Sequence, residues 1–150
     1  MSLPSWLLLA LPLISGAMMP LQTGVNGQLA RHLDSVLVAS LISFMVGSLA
    51  LLAIVLYQRE LPGGLAGFRG LSWWHWTGGL LGVLFVASAA FAGPRIGALL
   101  FMSLVLAGQL SAALLLDHFG WAGFNQSSIT PGKLAGLALI VAGVWLIRRG

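Results

Sequence analysis

The sequence predicts an all-α integral membrane protein that crosses the bilayer with five helices. Hydrophobic residues make up 59% of its 150 residues, and the mean hydropathy is +1.00. Charged residues make up only 7%, whereas a soluble domain carries roughly a quarter. Five apolar stretches meet or approach the roughly 20 residues that a helix needs to span a bilayer. The excess apolar surface must face lipid, and the length suits a single transmembrane domain, residues 1–150.

The first two helices are predicted over residues 4–29 and 36–57. The connection between them, residues 30–35, carries two charges and a histidine, which is typical of a short polar turn. Ser35 is placed to cap the second helix, because a serine hydroxyl accepts a hydrogen bond from a free amide of the first helical turn.

The remaining helices are predicted over residues 73–92, 96–116 and 131–147. Ser72 is placed to cap the third helix. Pro94 disfavours helical geometry in the residue before it, so the Gly-Pro-Arg segment 93–95 is predicted to separate helices three and four. Thr130 and Pro131 suit the N-cap and first turn of the fifth helix.

Aromatic residues are concentrated where interfacial anchors are expected. Trp73, Trp74 and Trp76 open the third helix, and Trp121 and Phe124 lie in the predicted loop between the fourth and fifth helices. Tryptophan is enriched at membrane–water interfaces. The pattern therefore favours two anchoring belts over an aromatic ligand cage.

Several classes of function are disfavoured. The chain has no cysteine, which excludes disulfides and thiol chemistry. Its net charge of +4 comes from Lys and Arg scattered singly between apolar runs, which argues against nucleic-acid binding. No nucleophile–base pair, metal-ligand spacing or phosphate loop is present. We expect no catalytic residues, no metal site and no cofactor.

The positive charges are nearly balanced across the membrane. With five spans, three basic side chains fall on one side and four on the other: Arg59, Arg69 and Lys133 against Arg31, Arg95, Arg148 and Arg149. Adding the terminal amine gives four against four. Because the Lys/Arg difference between short loops sets orientation, two interpretations remain open. Either the chain has one weakly specified orientation, or it inserts both ways and pairs with an inverted copy.

The C-terminal third resembles the drug/metabolite transporter superfamily. The resemblance rests on a small-residue helix closed by an acid, then a loop and a glycine-spaced helix: Ala107-Gly108-Gln109-Leu110, Leu116-Asp117, Thr130 to Lys133, and Gly136 to Gly143-Val144. The last helix also resembles the dimerisation helix of small multidrug resistance transporters. Gly136 and Gly143 are one heptad apart and share a stripe where helix backbones can approach closely.

The whole chain resembles the YdcZ-type five-helix branch of that superfamily, including the segment from Pro20 to Asn26 and the turn from Asp117 to Gly120. The resemblance implies a multi-pass transporter of small molecules in the bacterial inner membrane. It also implies assembly as an antiparallel, dual-topology homodimer, since related chains occur as dual-topology singles, oppositely oriented pairs and fused ten-helix proteins.

A few polar side chains within the predicted spans are candidates for binding substrate, because polar groups in a bilayer usually face the bundle interior or a watery cavity. Gln22 and Asn26 are four residues apart and share a face of helix one with Thr23 beside them. Pro20 removes a backbone hydrogen bond and frees a carbonyl near them. A cavity role is favoured for Gln22 and Asn26.

For the other polar residues, a structural role is favoured as much as a role in the cavity, or more. Gln109, in helix four, either lines the cavity or bonds a neighbouring helix at about 0.6 kcal/mol. Ser43 is a further candidate for the cavity, although packing is favoured for it and for Ser40. For Asp117 a structural role, tying the following loop, is favoured over coupling.

The sequence therefore predicts a secondary transporter that works as an antiparallel homodimer, with a cavity at the two-fold axis lined by Gln22 and Asn26. Small multidrug resistance transporters have a proton-binding glutamate near the position of Gln22, and an amide cannot exchange that proton. A neutral or zwitterionic substrate is expected. The alternatives are a passive channel formed by an inverted dimer and a non-transporting accessory subunit.

Overall fold

A computed structural model of the chain describes residues 5–59 and 69–150, with side chains in the first helix described from residue 10. Within these ranges all regular secondary structure is helical. The α-helices are α1 (Ser5–His32), α2 (Val36–Gln58), α3 (Thr77–Ile96), α4 (Ala98–Phe119) and α5 (Pro131–Arg149). Single 3₁₀ segments, Trp73–Trp76 and Trp121–Gly123, precede α3 and follow α4.

Four segments in the described ranges are long and apolar enough to cross a membrane: Val36–Gln58, Trp73–Ile96, Ala98–Phe119 and Pro131–Arg149. α1 is the longest helix, at 28 residues, and contains Pro12 and Pro20. The all-α membrane class is therefore confirmed, with five helices of which four meet these criteria.

The chain divides into two compact units, Met1–Arg95 and Ile96–Gly150. The core of the first unit is built from alanines. Ala30, Ala39 and Ala90 come from α1, α2 and α3, and Leu29 and Val36 pack against them. Small residues allow helix backbones to approach closely, which compensates for the weak hydrophobic drive between helices in lipid.

In the second unit, α4 packs against α5 and the connection between them is held by its own hydrogen bonds. The Ser127 amide donates to the Asp117 carbonyl at 2.7 Å. The Lys133 ammonium donates to the Ser127 hydroxyl at 2.8 Å and to the Ser128 carbonyl at 3.0 Å. Thr130 caps α5 as predicted, since its hydroxyl accepts from the Lys133 amide at 3.3 Å.

Large apolar side chains cover the outside of the described helices, and α5 buries no residue within the chain. Leu13 and Leu80 are 77% and 71% exposed. This distribution, small residues inside and large apolar ones outside, is the reverse of that in a water-soluble core. It suits a protein solvated by lipid.

The helix ends depart from the sequence-based expectations in several places. α4 continues to Phe119, beyond its predicted end at residue 116. α1 continues to His32, so Arg31 lies in its last turn and the connection is shorter than residues 30–35. Pro94 lies inside α3, and the break before α4 occurs at Gly97. Ser72 makes no side-chain cap; its carbonyl instead accepts from the His75 amide at 3.1 Å.

The later end of α3 has a local cause. A proline in the last turn of a helix removes only one hydrogen bond, and so α3 tolerates Pro94. Gly97 has φ +85° and ψ 150°, a conformation that only glycine adopts without strain, and it therefore stops the helix. By contrast, Ser35 caps α2 as predicted, accepting from the Val38 amide at 3.2 Å.

Candidate substrate cavity

A buried polar pair links α1 and α2. Asn26 is only 5% exposed, and its side-chain amide donates to the Ser43 hydroxyl at 3.2 Å. A buried amide without a partner would carry a desolvation cost of about 1–3 kcal/mol. The hydrogen bond therefore fixes how these two helices face one another at this level.

Ser43 also lines a cavity of about 260 Å³ in the first unit. Its lining is uncharged: Gln22, Ser43, Phe44, Gly47, Ser48, Leu51 and Val86. Gly47 is the middle residue of α2, and Val86 lies near the middle of the span Trp73–Ile96. The cavity therefore lies at the depth of the bilayer midplane if these helices span the membrane.

The predicted polar residues of α1 do not have equivalent positions. Gln22 is exposed within the chain and lines the cavity, whereas Asn26 is buried behind Ser43 and does not line it. Thr23 is buried as well, at 4% exposed. The face of α1 that carries Gln22, Thr23 and Asn26 is thus partly packed against the protein and partly open to the cavity.

The two serines of α2 differ in their contacts. Ser40 is 3% exposed, and its hydroxyl donates to the Val36 carbonyl one turn earlier in the same helix, at 2.8 Å. Ser43 accepts from Asn26 and reaches the cavity. The contacts of Ser40 agree with the packing interpretation, and Ser43 combines packing with access to the cavity.

The remaining candidates lie in the second unit. Gln109 is exposed on α4 and is not among the residues that line two cavities of that unit, one of about 290 Å³ between α4 and α5 and one of about 610 Å³ on α5. A Cβ atom added at Gly136 or at Gly143 would meet no atom within 4 Å. The backbone of α5 is therefore open at both glycines, and their role in dimer packing stays a prediction.

Asp117 lines a separate cavity of about 290 Å³ between α4 and α5, which it shares with Lys133 and Gly136 among apolar residues. Its side chain is half-buried. Its backbone carbonyl ties the following loop through Ser127, while its carboxylate makes no hydrogen bond or ion pair within the described ranges. The backbone carbonyl of Asp117, and not its carboxylate, therefore holds the following loop, which is the structural role expected of this residue.

Some lining residues were not singled out from the sequence. Phe44, Gly47, Ser48 and Leu51 follow the i, i+3, i+4, i+7 spacing of one helix face. This spacing, continued from Ser43, could have identified the face that lines the cavity. Most other residues of α2 are also apolar, so the pattern does not stand out. No group of three or more His, Asp or Glu side chains in the described ranges is arranged to hold a metal ion.

Comparison with known proteins places these features in a family. Residues 7–146 match the model of a family described as "Putative inner membrane exporter, YdcZ". The chain is also 29% identical over 147 residues to "Inner membrane protein YdcZ" of Escherichia coli (strain K12), an alignment that covers 95% of each protein. No solved structure matches the chain.

Proposed function

The chain belongs to the YdcZ family of inner membrane proteins, and on that premise we propose that it is a secondary transporter of small molecules working as an antiparallel homodimer. It is a multi-pass protein of the bacterial inner membrane. In many transporters, substrate sites lie near the midplane, between two halves of inverted topology. A second copy in the opposite orientation would supply the other half.

The midplane cavity beside the Asn26–Ser43 pair is the observation that best supports this proposal. Uncharged polar side chains at this depth are costly unless they face protein or a watery cavity. Here the Asn26 amide is used to orient Ser43, and Ser43 and Gln22 line the open space. Ser43 is thus held in a fixed position, and the side-chain amide of Gln22 remains accessible to a ligand.

The chemistry of the lining favours a neutral or zwitterionic substrate. Amide and hydroxyl groups both donate and accept hydrogen bonds, and they orient a ligand without carrying charge. In the described ranges the carboxylates of Asp34 and Asp117 line other cavities. Proton exchange at a carboxylate in this cavity is therefore not part of the proposed mechanism.

The balance of positive charges supports the antiparallel arrangement. A dimer of two identical chains in opposite orientations has equivalent inward-open and outward-open states, because the two-fold axis exchanges them. Gln22 of both copies would then line one cavity on that axis. The open glycine positions of α5 are available for close helix contact.

A ligand screen with matched serine variants tests the binding site. Thermal shifts of the purified chain against metabolites and amphiphiles should identify a stabilising compound. Gln22→Ala and Ser43→Ala should then lower its affinity about tenfold or more, because each removes a polar group from the cavity. Ser40→Ala is the control, since that hydroxyl bonds within its own helix. Equal affinity in all variants would refute the assignment.

Flux measurements separate a carrier from a channel. In proteoliposomes the identified compound should show saturable exchange, and preloading the vesicles with it should accelerate uptake. Flux that rises linearly with concentration, or a unitary current, would favour a channel formed by an inverted dimer. A chain that binds no compound and carries no flux would favour an accessory subunit.

A further inference from the structure

A second cavity of the first unit has a charged lining. It has a volume of about 430 Å³ and lies where the last turns of α1 and α3 meet the beginning of α2. Arg31, Asp34 and Arg95 line it together with Ser35, Phe91 and Pro94. The five predicted spans place Arg31 and Arg95 on the same side of the membrane, but nothing in the sequence brings them to one cavity.

The Arg95 guanidinium is held in place by its own helix. Its central carbon lies 3.9 Å from the centroid of the Phe91 ring, and one of its nitrogens donates to the Phe91 carbonyl. A guanidinium has five N–H donors. Several N–H donors of Arg95 therefore remain for a ligand. The contacts with Phe91 already restrict the conformations of this side chain.

The positive charges of the cavity exceed the negative ones. Arg31 and Arg95 supply two, and Asp34 supplies the single carboxylate. No ion pair joins Asp34 to either arginine within the described ranges, and Asp34 is exposed. The positive end of α2 opens toward the same space through Ser35 and Val36 and adds potential of the same sign.

We propose that this cavity binds a phosphate group between the guanidiniums of Arg31 and Arg95. The planar fork of a guanidinium matches two phosphate oxygens, and Arg is the preferred residue for such recognition. Basic pockets between membrane helices bind anionic lipid headgroups in the same way. The site lies at helix ends, at headgroup depth, and is independent of the proposed transport cavity.

An anionic phospholipid and free inorganic phosphate share this chemistry, and binding measurements distinguish them. The probes are short-chain phosphatidylglycerol, short-chain phosphatidylcholine and inorganic phosphate, each titrated into the purified full-length chain in a nonionic detergent. Phosphatidylglycerol should bind more tightly than phosphatidylcholine, and added salt should weaken it. If inorganic phosphate binds with the same dependence on the arginines, the source of the phosphate is soluble.

Three variants test which residues bind the anion. Arg31→Gln and Arg95→Gln should each weaken binding of the tighter probe about twofold to fivefold, the range expected for exposed charges. Arg149→Gln is the matched control. Arg149 also stacks on an aromatic ring, with its central carbon 3.8 Å from the Trp145 centroid, but it is not among the residues that line the charged cavity.

Asp34→Asn gives a test with the opposite sign. Removing the carboxylate takes a repulsive charge from the cavity, so binding should tighten by about twofold or more. This gain cannot come from misfolding. Equal affinity in wild type, Arg31→Gln and Arg95→Gln, weakening by Arg149→Gln of the same size, or weaker binding by Asp34→Asn would each overturn the proposal.

Discussion

Small residues determine how closely the helices of the first unit approach. Ala39 and Ala90 are almost fully buried, and Gly27 lies directly against α3. A Cβ atom built at Gly27 would overlap the ring of Pro94 and lie 3.6 Å from the Ala90 carbonyl oxygen. A proline ring cannot rotate away as a flexible side chain can. Packing at this point therefore depends on the missing side chain.

Gly27→Ala should destabilise the protein by about 1–3 kcal/mol, because overpacking forces the backbone or the proline ring to shift. Gly24→Ala is the control in the same helix. A Cβ there would meet nothing within 4 Å, and alanine favours helix by up to about 1 kcal/mol over glycine. Unfolding in mixed micelles, followed by helicity, measures both. Equal stability of the two variants would contradict the contact with Pro94.

The sequence identified Asn26 but not the detailed geometry around it. Intramembrane polar groups are rare enough to stand out, and the i, i+4 spacing put Gln22 and Asn26 on one face. Whether a residue on that face is buried or lines an opening depends on where α2 packs against α1. The sequence of α1 alone does not determine that packing. For the same reason Ser40 and Ser43, three residues apart, were indistinguishable before their hydrogen bonds were known.

At the scale of elements, two of the three N-caps predicted from local sequence form their side-chain bonds, and Ser72 does not. Ser35 and Thr130 cap α2 and α5 through bonds to amides three residues away. The sequence pattern predicts the end of α3 too early, at residue 92 before Pro94, because a proline is tolerated in the last turn of a helix. Gly97 is the actual boundary, and its positive φ was not visible in the sequence.

Gly97→Ala should cost about 1–3 kcal/mol, since an alanine Cβ is strained at φ +85° and ψ 150°. Gly108→Ala, inside α4 with no atom within 4 Å of the added Cβ, should be neutral or stabilising. Thermal unfolding in detergent compares them. A stable Gly97→Ala variant would mean that the chain does not break at this residue.

Lys133 holds the loop between α4 and α5 through contacts with Ser127 and Ser128. Lys133→Met should therefore raise hydrogen exchange of residues 124–130 severalfold. Asp117→Asn should leave that exchange unchanged, because the loop is bonded to the backbone carbonyl of Asp117 and not to its carboxylate. Faster exchange in Asp117→Asn than in Lys133→Met would reverse the roles assigned to the two side chains.

At the scale of the whole molecule, bulk properties determine the class. Low charge, high hydropathy and five long apolar stretches leave lipid as the solvent for most of the surface, and the exposed leucines and tryptophans agree. The same properties say little about assembly. A balance of positive charges is compatible with either orientation, because topology depends on the difference between the two sides and not on their sum.

Removing positive charge from one end should shift that balance. Arg148→Gln with Arg149→Gln deletes two of the four basic side chains on the side of the C-terminus. The fraction of chains with the C-terminus in the periplasm should increase, since the more positive side is retained in the cytoplasm. Protease accessibility of a C-terminal tag in spheroplasts, from which the outer membrane has been stripped, measures this fraction. No change would indicate an orientation fixed by other features.

The orientation of the wild-type C-terminus tests the antiparallel homodimer most directly. Because the chain contains no cysteine, Gly150→Cys provides a single thiol that a membrane-impermeant maleimide labels from one side of the membrane at a time. For an antiparallel homodimer we expect two populations of comparable size, one labelled in intact cells and the other only after the inner membrane is opened. Labelling of every chain from the same side would contradict it.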